Sequence, residues 1–245
     1  MAALTAMSHS AAMVPPRPRS VVAGAVAAGV TALRGAPAVA ASSFTAGVCC
    51  GMLLSSDALQ RYQTAADVPN YYVRKQRSLS ASVASVTDGD TLRVRHTPLP
   101  LSSTAFKGKL SEETIQVRLL AVDAPEIGKF GSASQPYAEE AREFVKGAIL
   151  NKNVRLRVVA RDQYGRLVGE VRYGLLGRKE LSTELVRRGL AVVYRGKDAS
   201  YGGRDRAGWE RLEATARKTR QGMWKDGGDG VSPSEYKRQQ KARRG

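Results

Sequence analysis

Three short segments of this chain hold residues whose types and spacing could do chemistry. They are Asp88-Gly89-Asp90-Thr91, the run Val117-Arg118-Leu119-Leu120-Ala121-Val122-Asp123-Ala124-Pro125-Glu126, and Asp162-Gln163-Tyr164-Gly165-Arg166. Between them they supply carboxylates for a hard divalent cation, a further carboxylate able to take a proton, and two arginines. Hydrolysis of a phosphodiester needs little else.

Asp90 follows a glycine turn, and Asp123 stands where an otherwise apolar strand runs out. Two carboxylates brought together at strand ends suit calcium, which accepts irregular oxygen coordination completed by water and backbone carbonyls. By itself Asp88-Gly89-Asp90 reads as an ordinary turn. Asp123 is different, because a carboxylate buried without a partner costs several kcal/mol. Glu126 follows Pro125, which stiffens the backbone and sets where the side chain projects. Close to an activated water, it could act as a general base. Arg118 is out of phase with Ile115, Val117 and Leu119, so it faces the other side of its strand, and Arg166 closes the Tyr164-Gly165 turn. Two guanidiniums aimed at one phosphate would neutralise the charge that builds up in the transition state.

Composition narrows the chemistry further. The chain has 245 residues and a formal net charge of +17. Such an excess favours polyanions, either nucleic acid or an anionic lipid surface. The only cysteines, Cys49 and Cys50, are adjacent, and the two histidines, His9 and His96, are far apart. That leaves no disulfide framework and no spacing for a zinc centre. Any metal must be held by oxygen, as calcium or magnesium is.

The elements that must position these residues can be read from the pattern. Val83, Val86, Leu92 and Val94 flank the Asp88-Gly89-Asp90 turn as two strand segments. Thr97 to Glu113 is a polar excursion, and Ile115, Val117 and Leu119 alternate as a strand. Pro136 suits a helical first turn, with Ala138, Ala141, Val145, Ala148 and Ile149 following at helical spacing. Val154, Leu156, Val158 and Ala160 form a strand that turns at Tyr164-Gly165 into a partner through Leu167, Gly169 and Val171. A short helix through Leu181 and Leu185 stops at Gly189, a strand runs from Ala191 to Tyr194, and a last helix carries Trp209, Leu212 and Ala216. The order predicts a small closed β-barrel with helices at its side, an α+β domain over residues 79–226.

The flanks differ in kind. Residues 1–56 contain no Asp or Glu, and their basic residues are Arg17, Arg19 and Arg34. An acid-free, arginine-dotted, Ala/Ser-rich start reads as an organelle-targeting leader over 1–34, or else as a low-complexity leader. Residues 35–56 carry no charge and reach the length of a membrane-spanning helix, so they are either an anchor or part of a leader that is removed. Residues 57–78 read as a basic linker with the patch Arg74-Lys75-Gln76-Arg77, and 227–245 as a Gly-rich, then basic, tail.

These residues carry a resemblance. The stretch from Ser82 to Lys225 resembles a staphylococcal-nuclease-like (thermonuclease) domain, through a DGDT turn at Asp88–Thr91, an RLLxVDxPE strand at Arg118–Glu126 and a YGR turn at Tyr164–Arg166. The resemblance implies a five-stranded OB-type barrel with three packed helices, and calcium-dependent hydrolysis of DNA or RNA that leaves 3′-phosphates. It implies calcium held by Asp90, Asp123 and the Ala124 carbonyl, with Asp88 just behind them. It implies catalytic positions at Arg118, Glu126 and Arg166, and substrate contacts at Tyr164 and Tyr194.

Two departures stand out: Ala124 replaces the family's usual Thr, and Gln163 replaces the Lys that often precedes the tyrosine. Asp67-Val68-Pro69, Tyr71-Tyr72-Val73-Arg74-Lys75, Arg95-His96-Thr97-Pro98 and Ser232-Pro233-Ser234-Glu235-Tyr236-Lys237 are similar to the membrane-anchored endonucleases of fungal mitochondria. That likeness implies an organellar nuclease on a single-pass anchor, in the mitochondrion or alternatively the chloroplast; the chain is expected to be a monomer. The rival readings are a catalytically silent nucleic-acid- or protein-binding module of the same barrel tethered to a membrane, and a basic peripheral membrane protein.

Overall fold

Alternation of apolar and polar residues builds the centre of the domain. In the computed structural model, which describes residues 60–99, 107–128, 133–225 and 232–242, strand β1 (Ser78–Asp88) buries Leu79, Ala81 and Val83 and exposes Ser78 and Ser80. It pairs antiparallel with β2 (Thr91–His96), with irregularities between Val83 and Ser85 and between Val86 and Asp88. Such bulges bend a strand and increase its twist, which a small barrel needs in order to close.

Strands β3 (Ile115–Leu119), β5 (Asn153–Arg161) and β6 (Leu167–Tyr173) complete a five-stranded ring in the order β3-β2-β1-β5-β6. A parallel pairing of β3 with β6 shuts it, aligning Val117 with Leu167 and Arg118 with Val168. Leu92, Val94, Ile115, Val117, Leu156, Val158, Leu167 and Val171 fill the interior with essentially no exposure. The two-residue β4 (Val122–Asp123) leaves the barrel and pairs with β8 (Val192–Val193), and β7 (Lys179–Glu180) extends the edge of β6. The α+β barrel expected from the pattern is the fold observed.

The three packed helices are there as well. Of α2 (Ala138–Ile149), Ala138, Ala141, Val145 and Ile149 form one buried stripe lying against β1. The helix starts later than Pro136 suggests: Tyr137 is left-handed (φ 67°) and serves as the N-cap, so the proline stands outside the first turn. Helix α3 (Leu181–Arg187) ends before Gly189, and α4 (Arg206–Lys218) is capped by Asp205, whose carboxylate accepts the Gly208 amide at 2.8 Å.

Two further α-helices lie among the described residues. One is α1 (Asn70–Arg74), a five-residue turn too short to leave a periodic signal; the other is α5 (Pro233–Ala242), which is almost wholly polar.

The expected leader 1–34 and anchor 35–56 lie outside the described residues, and among those described no helix is long and apolar enough to cross a membrane. Residues 60–77, within the stretch read as a linker, lie against the barrel. Tyr62 is buried, stacks on His96 (centroids 4.9 Å apart, planes 5° apart) and donates its amide to His96 Nδ1 at 3.2 Å. The Arg161 guanidinium donates to the Ala65 and Val68 carbonyls. Arg161 directly precedes the Asp162–Arg166 turn, so this segment braces that end of β5.

Candidate active site

The acidic part of the site is built by a close approach of three elements. A Cβ placed on Gly89 would come within 2.8 Å of both the Ala124 and the Ala141 Cβ atoms, so the turn between β1 and β2 presses onto β4 and α2 only because it lacks a side chain. Asp90 is then held by its carbonyl, which accepts the Leu119 amide at 2.8 Å, and by its carboxylate, which accepts the Thr91 hydroxyl at 2.9 Å. Between β3 and β4 the chain kinks at Ala121, which adopts a left-handed φ of 63°. That conformation is uncommon for a residue with a Cβ. The kink swings Asp123 toward Asp90, and the Ala121 carbonyl accepts the Tyr194 amide at 2.9 Å.

Asp90 is 4% exposed and Asp123 2%. One arginine serves both, with the Arg118 Nη2 atom 3.4 Å from Asp123 Oδ1 and 3.9 Å from Asp90 Oδ2. Burial works against the charge of Arg118, but Asp90 and Asp123 outweigh it and hold the guanidinium above its ordinary range. Two buried carboxylates thus converge beside one guanidinium, an arrangement that could also hold a cation. Both donors are hard oxygens, so the residues fit calcium. Among the described residues no three or more His, Cys, Asp or Glu side chains are arranged to ligate an ion. An ion here would therefore lean on Asp90 and Asp123 together with backbone carbonyl and water.

Each arginine is paired with a carboxylate and a tyrosine. Arg118 lies over the Tyr194 ring at 4.8 Å, and Arg166 over the Tyr164 ring at 5.4 Å. Arg166 is anchored by Asp162, whose Oδ2 accepts its Nε at 2.6 Å and whose Oδ1 accepts the Tyr164 and Arg166 amides, each at 2.9 Å. Gly165, at φ 77°, closes that turn. Tyr194 donates its hydroxyl to Asp198 at 2.7 Å. This bond, followed by burial, raises the phenol, and the same bond lowers the Asp198 carboxyl. Tyr164 is 75% exposed.

Glu126 is positioned through its backbone. Its amide donates to Gln135 Oε1 at 3.3 Å, and its carbonyl accepts the Gln135 amide at 2.9 Å. Gln135 is itself buried, so this two-point clasp fixes the chain just after Pro125.

One open cleft of about 440 Å³ gathers these groups. Asp88, Asp90, Arg118, Asp123, Glu126, Tyr164, Arg166 and Tyr194 all line it. Ala124 does not: its side chain is buried against Gly89, leaving only its carbonyl for the role the sequence implied. Sequence reasoning gave no role in the site to Asp162, Asp198, Ser200 or Ser234, which line the same cleft. For Asp162 the signal was available, since an aspartate opening a turn accepts amides from the residues two to four further on. Asp198, Ser200 and Ser234 lie far along the chain from the motifs and arrive only by folding.

Buried paired carboxylates, two anchored arginines and a glutamate sharing one cleft on a closed barrel define a hydrolase of phosphodiester bonds. Residues 116–226 match the family model described as Staphylococcal nuclease homologue. The chain is 41% identical over 186 residues to Endonuclease Htp3 of Saprolegnia parasitica, covering 74% of this chain and 88% of that protein. It is 38% identical over 209 residues to a protein of Yarrowia lipolytica named "Probable endonuclease LCL3", covering 80% and 91%. A protein of Schizosaccharomyces pombe, also named a probable endonuclease, is 35% identical over 202 residues, covering 73% and 86%. The chain belongs to the staphylococcal nuclease homologue family.

Proposed function

We propose that this protein is a calcium-dependent endonuclease that cleaves DNA, RNA or both and leaves 3′-phosphates. The observation that carries the reading is the meeting of Asp90, Asp123, Arg118, Arg166 and Glu126 in one cleft. In this reading Asp90, Asp123 and the Ala124 carbonyl hold calcium, with Asp88 supporting them from behind. Bound there, the ion would supply Lewis-acid polarisation of the scissile phosphate.

The chain's own residues do the rest. Glu126 takes a proton from a water molecule as its oxygen attacks phosphorus. Arg118 and Arg166 hold the phosphoryl oxygens and offset the extra negative charge of the five-coordinate transition state. The bond from phosphorus to the 5′-oxygen breaks, and the leaving oxygen takes up a proton from solvent. Asp162 and Tyr164 keep Arg166 aimed, and the exposed Tyr164 ring stacks on a neighbouring base. The basic balance of the chain draws the polyanion in.

The acid-free start and the uncharged span that follows support delivery to an organelle, the mitochondrion first, on a single membrane anchor. The deciding experiment is cleavage of single-stranded DNA and RNA by the full chain with calcium and with chelator. Calcium-dependent cuts inside the strand are expected; intact substrate under both conditions would leave a binding module only.

A further inference from the structure

A second basic cleft, of about 460 Å³, is lined by Arg155, Arg157, Arg172, Arg204, Glu170 and Glu180, among others. On β6 the inward residues Leu167, Gly169 and Val171 fill the barrel, so Val168, Glu170 and Arg172 share the outer face. Val168 lines the catalytic cleft, and Glu170 and Arg172 line the second one. The two clefts therefore follow one another along a single strand, and Val168 to Arg172 spans about 13 Å at the usual strand rise. One loop also borders both, with Asp198 and Ser200 on the catalytic side and Tyr201, Gly203 and Arg204 on the other. It is braced in between, where the Tyr201 hydroxyl donates to the Tyr194 carbonyl at 3.0 Å and Trp209 Nε1 donates to the Tyr201 carbonyl at 3.1 Å.

The charges of the second cleft are not balanced from within. Arg155 and Arg172 face each other directly across β5 and β6, a like-charge pairing that destabilises a sheet. Glu170 answers Arg172 and, through two nitrogens, Arg157. Glu180 accepts from Thr183, and its carboxyl is raised by burial. Arg204 stacks over Trp209 at 5.2 Å. Neither Arg155 nor Arg204 has a salt bridge among the described residues. Two arginines thus line a concave surface that neighbours the catalytic cleft along β6, with Glu180 the carboxylate nearest in effect to Arg204.

We propose that this cleft is a second phosphate-binding subsite, in which Arg155 and Arg204 hold the backbone of a single-stranded polynucleotide a few nucleotides from the bond being cut. The inference rests on the nuclease reading for its ligand and extends it to substrate length: long strands bind at both clefts, very short ones at the catalytic cleft alone. The arrangement favours a strand over a lipid headgroup because the second cleft follows the first along the outer face of β6, at a spacing a polynucleotide backbone can span.

The test uses the full chain carrying Arg155→Gln, Arg155→Glu, or Arg155→Gln with Arg204→Gln. Arg155 is exposed, so its substitutions leave the core intact. Fluorescence anisotropy in chelator reads binding of a labelled 20-nucleotide and a labelled three-nucleotide strand. The 20-mer is expected to lose roughly three- to tenfold in affinity, with its log–log salt slope shallower by about 0.7 for each arginine removed. The three-nucleotide strand should bind as it does to wild type. Unchanged 20-mer binding, or an equal loss with both strands, overturns the subsite. So does an unchanged 20-mer affinity combined with lost sedimentation on phosphatidylserine vesicles, which would assign the cleft to lipid. Binding is read without turnover, so a protein that cuts nothing fails the nuclease reading while the subsite is still decided.

Discussion

Asp162 grips Arg166 at two points, the side-chain nitrogen Nε at 2.6 Å and the backbone amide at 2.9 Å. Both contacts come from one carboxylate, and the side chains of the pair are 7% and 18% exposed. The guanidinium that faces the cleft is thereby held on a short tether. Asp162 acts through Arg166, so the two should behave as a unit. Arg166→Ala is expected to lower kcat by roughly 10²- to 10³-fold, the scale for losing one transition-state contact. Asp162→Ala should cost a large part of that, and adding it to Arg166→Ala should cost little more. Fully additive losses in a double-mutant cycle would show that Asp162 does not work through Arg166.

Glu126→Gln preserves the backbone clasp to Gln135, because both of its bonds use main-chain atoms of residue 126. The fold and substrate affinity should therefore survive, while turnover falls by roughly 10²- to 10⁴-fold, as expected for a lost general base. Single-turnover kinetics at saturating substrate provide the check. Wild-type turnover would remove Glu126 from the proton transfer.

Asp90→Ala or Asp123→Ala should abolish calcium-dependent activity, since each takes away one of two buried carboxylates beside Arg118. Magnesium should replace calcium poorly, because it demands near-octahedral geometry and gives up water reluctantly. Isothermal titration with calcium should show one site in wild type and none in either variant. Equal cleavage rates with the two metals would overturn the calcium assignment.

Much of this site was legible from local signals. Gly89 between two aspartates, alternation that put Arg118 on the outer face, and a turn ending in Arg166 each belong to a short run of sequence. The barrel was legible for the same reason, since period-2 patterning marks every long strand. What escaped was set by distant contacts. Asp198 reaches the cleft on the loop after β8, and Ser234 on a helix whose residues are too polar to show an apolar stripe. Residues 60–77 looked like a linker because their anchoring residues, Tyr62 and Val68, are isolated apolar positions without period. Their partners, His96 and Arg161, come from other strands.

The uncharged span 35–56 yields an expectation about location. If it anchors the protein, the full chain should remain in the membrane pellet after carbonate extraction. Arg61, Arg74, Lys75 and Arg77, just beyond it, would tend to stay on the side from which insertion occurred. Release by carbonate would leave an organellar nuclease with a leader used for targeting alone.

His96 links stability to pH. Burial, and then the nearby positive charge of Arg61, lower the imidazole from 6.5 to about 4. Its Nδ1 accepts the Tyr62 amide, and its ring is stacked on Tyr62, so protonation would set a donor against a donor inside that contact. In the unfolded chain His96 takes up a proton near pH 6.5, whereas in the folded chain it resists until about pH 4. The unfolded state therefore binds more protons between these values, and stability falls as pH drops through the window. Glu180, whose carboxyl is raised by burial, acts in the opposite sense, so the comparison must be made against a variant. His96→Gln retains an acceptor for the Tyr62 amide without a group that titrates. Melting temperatures at pH 7, 6, 5 and 4.5 should decline more steeply for wild type than for His96→Gln. Parallel declines would mean that His96 titrates alike in both states and that the docking of residues 60–77 is insensitive to its charge.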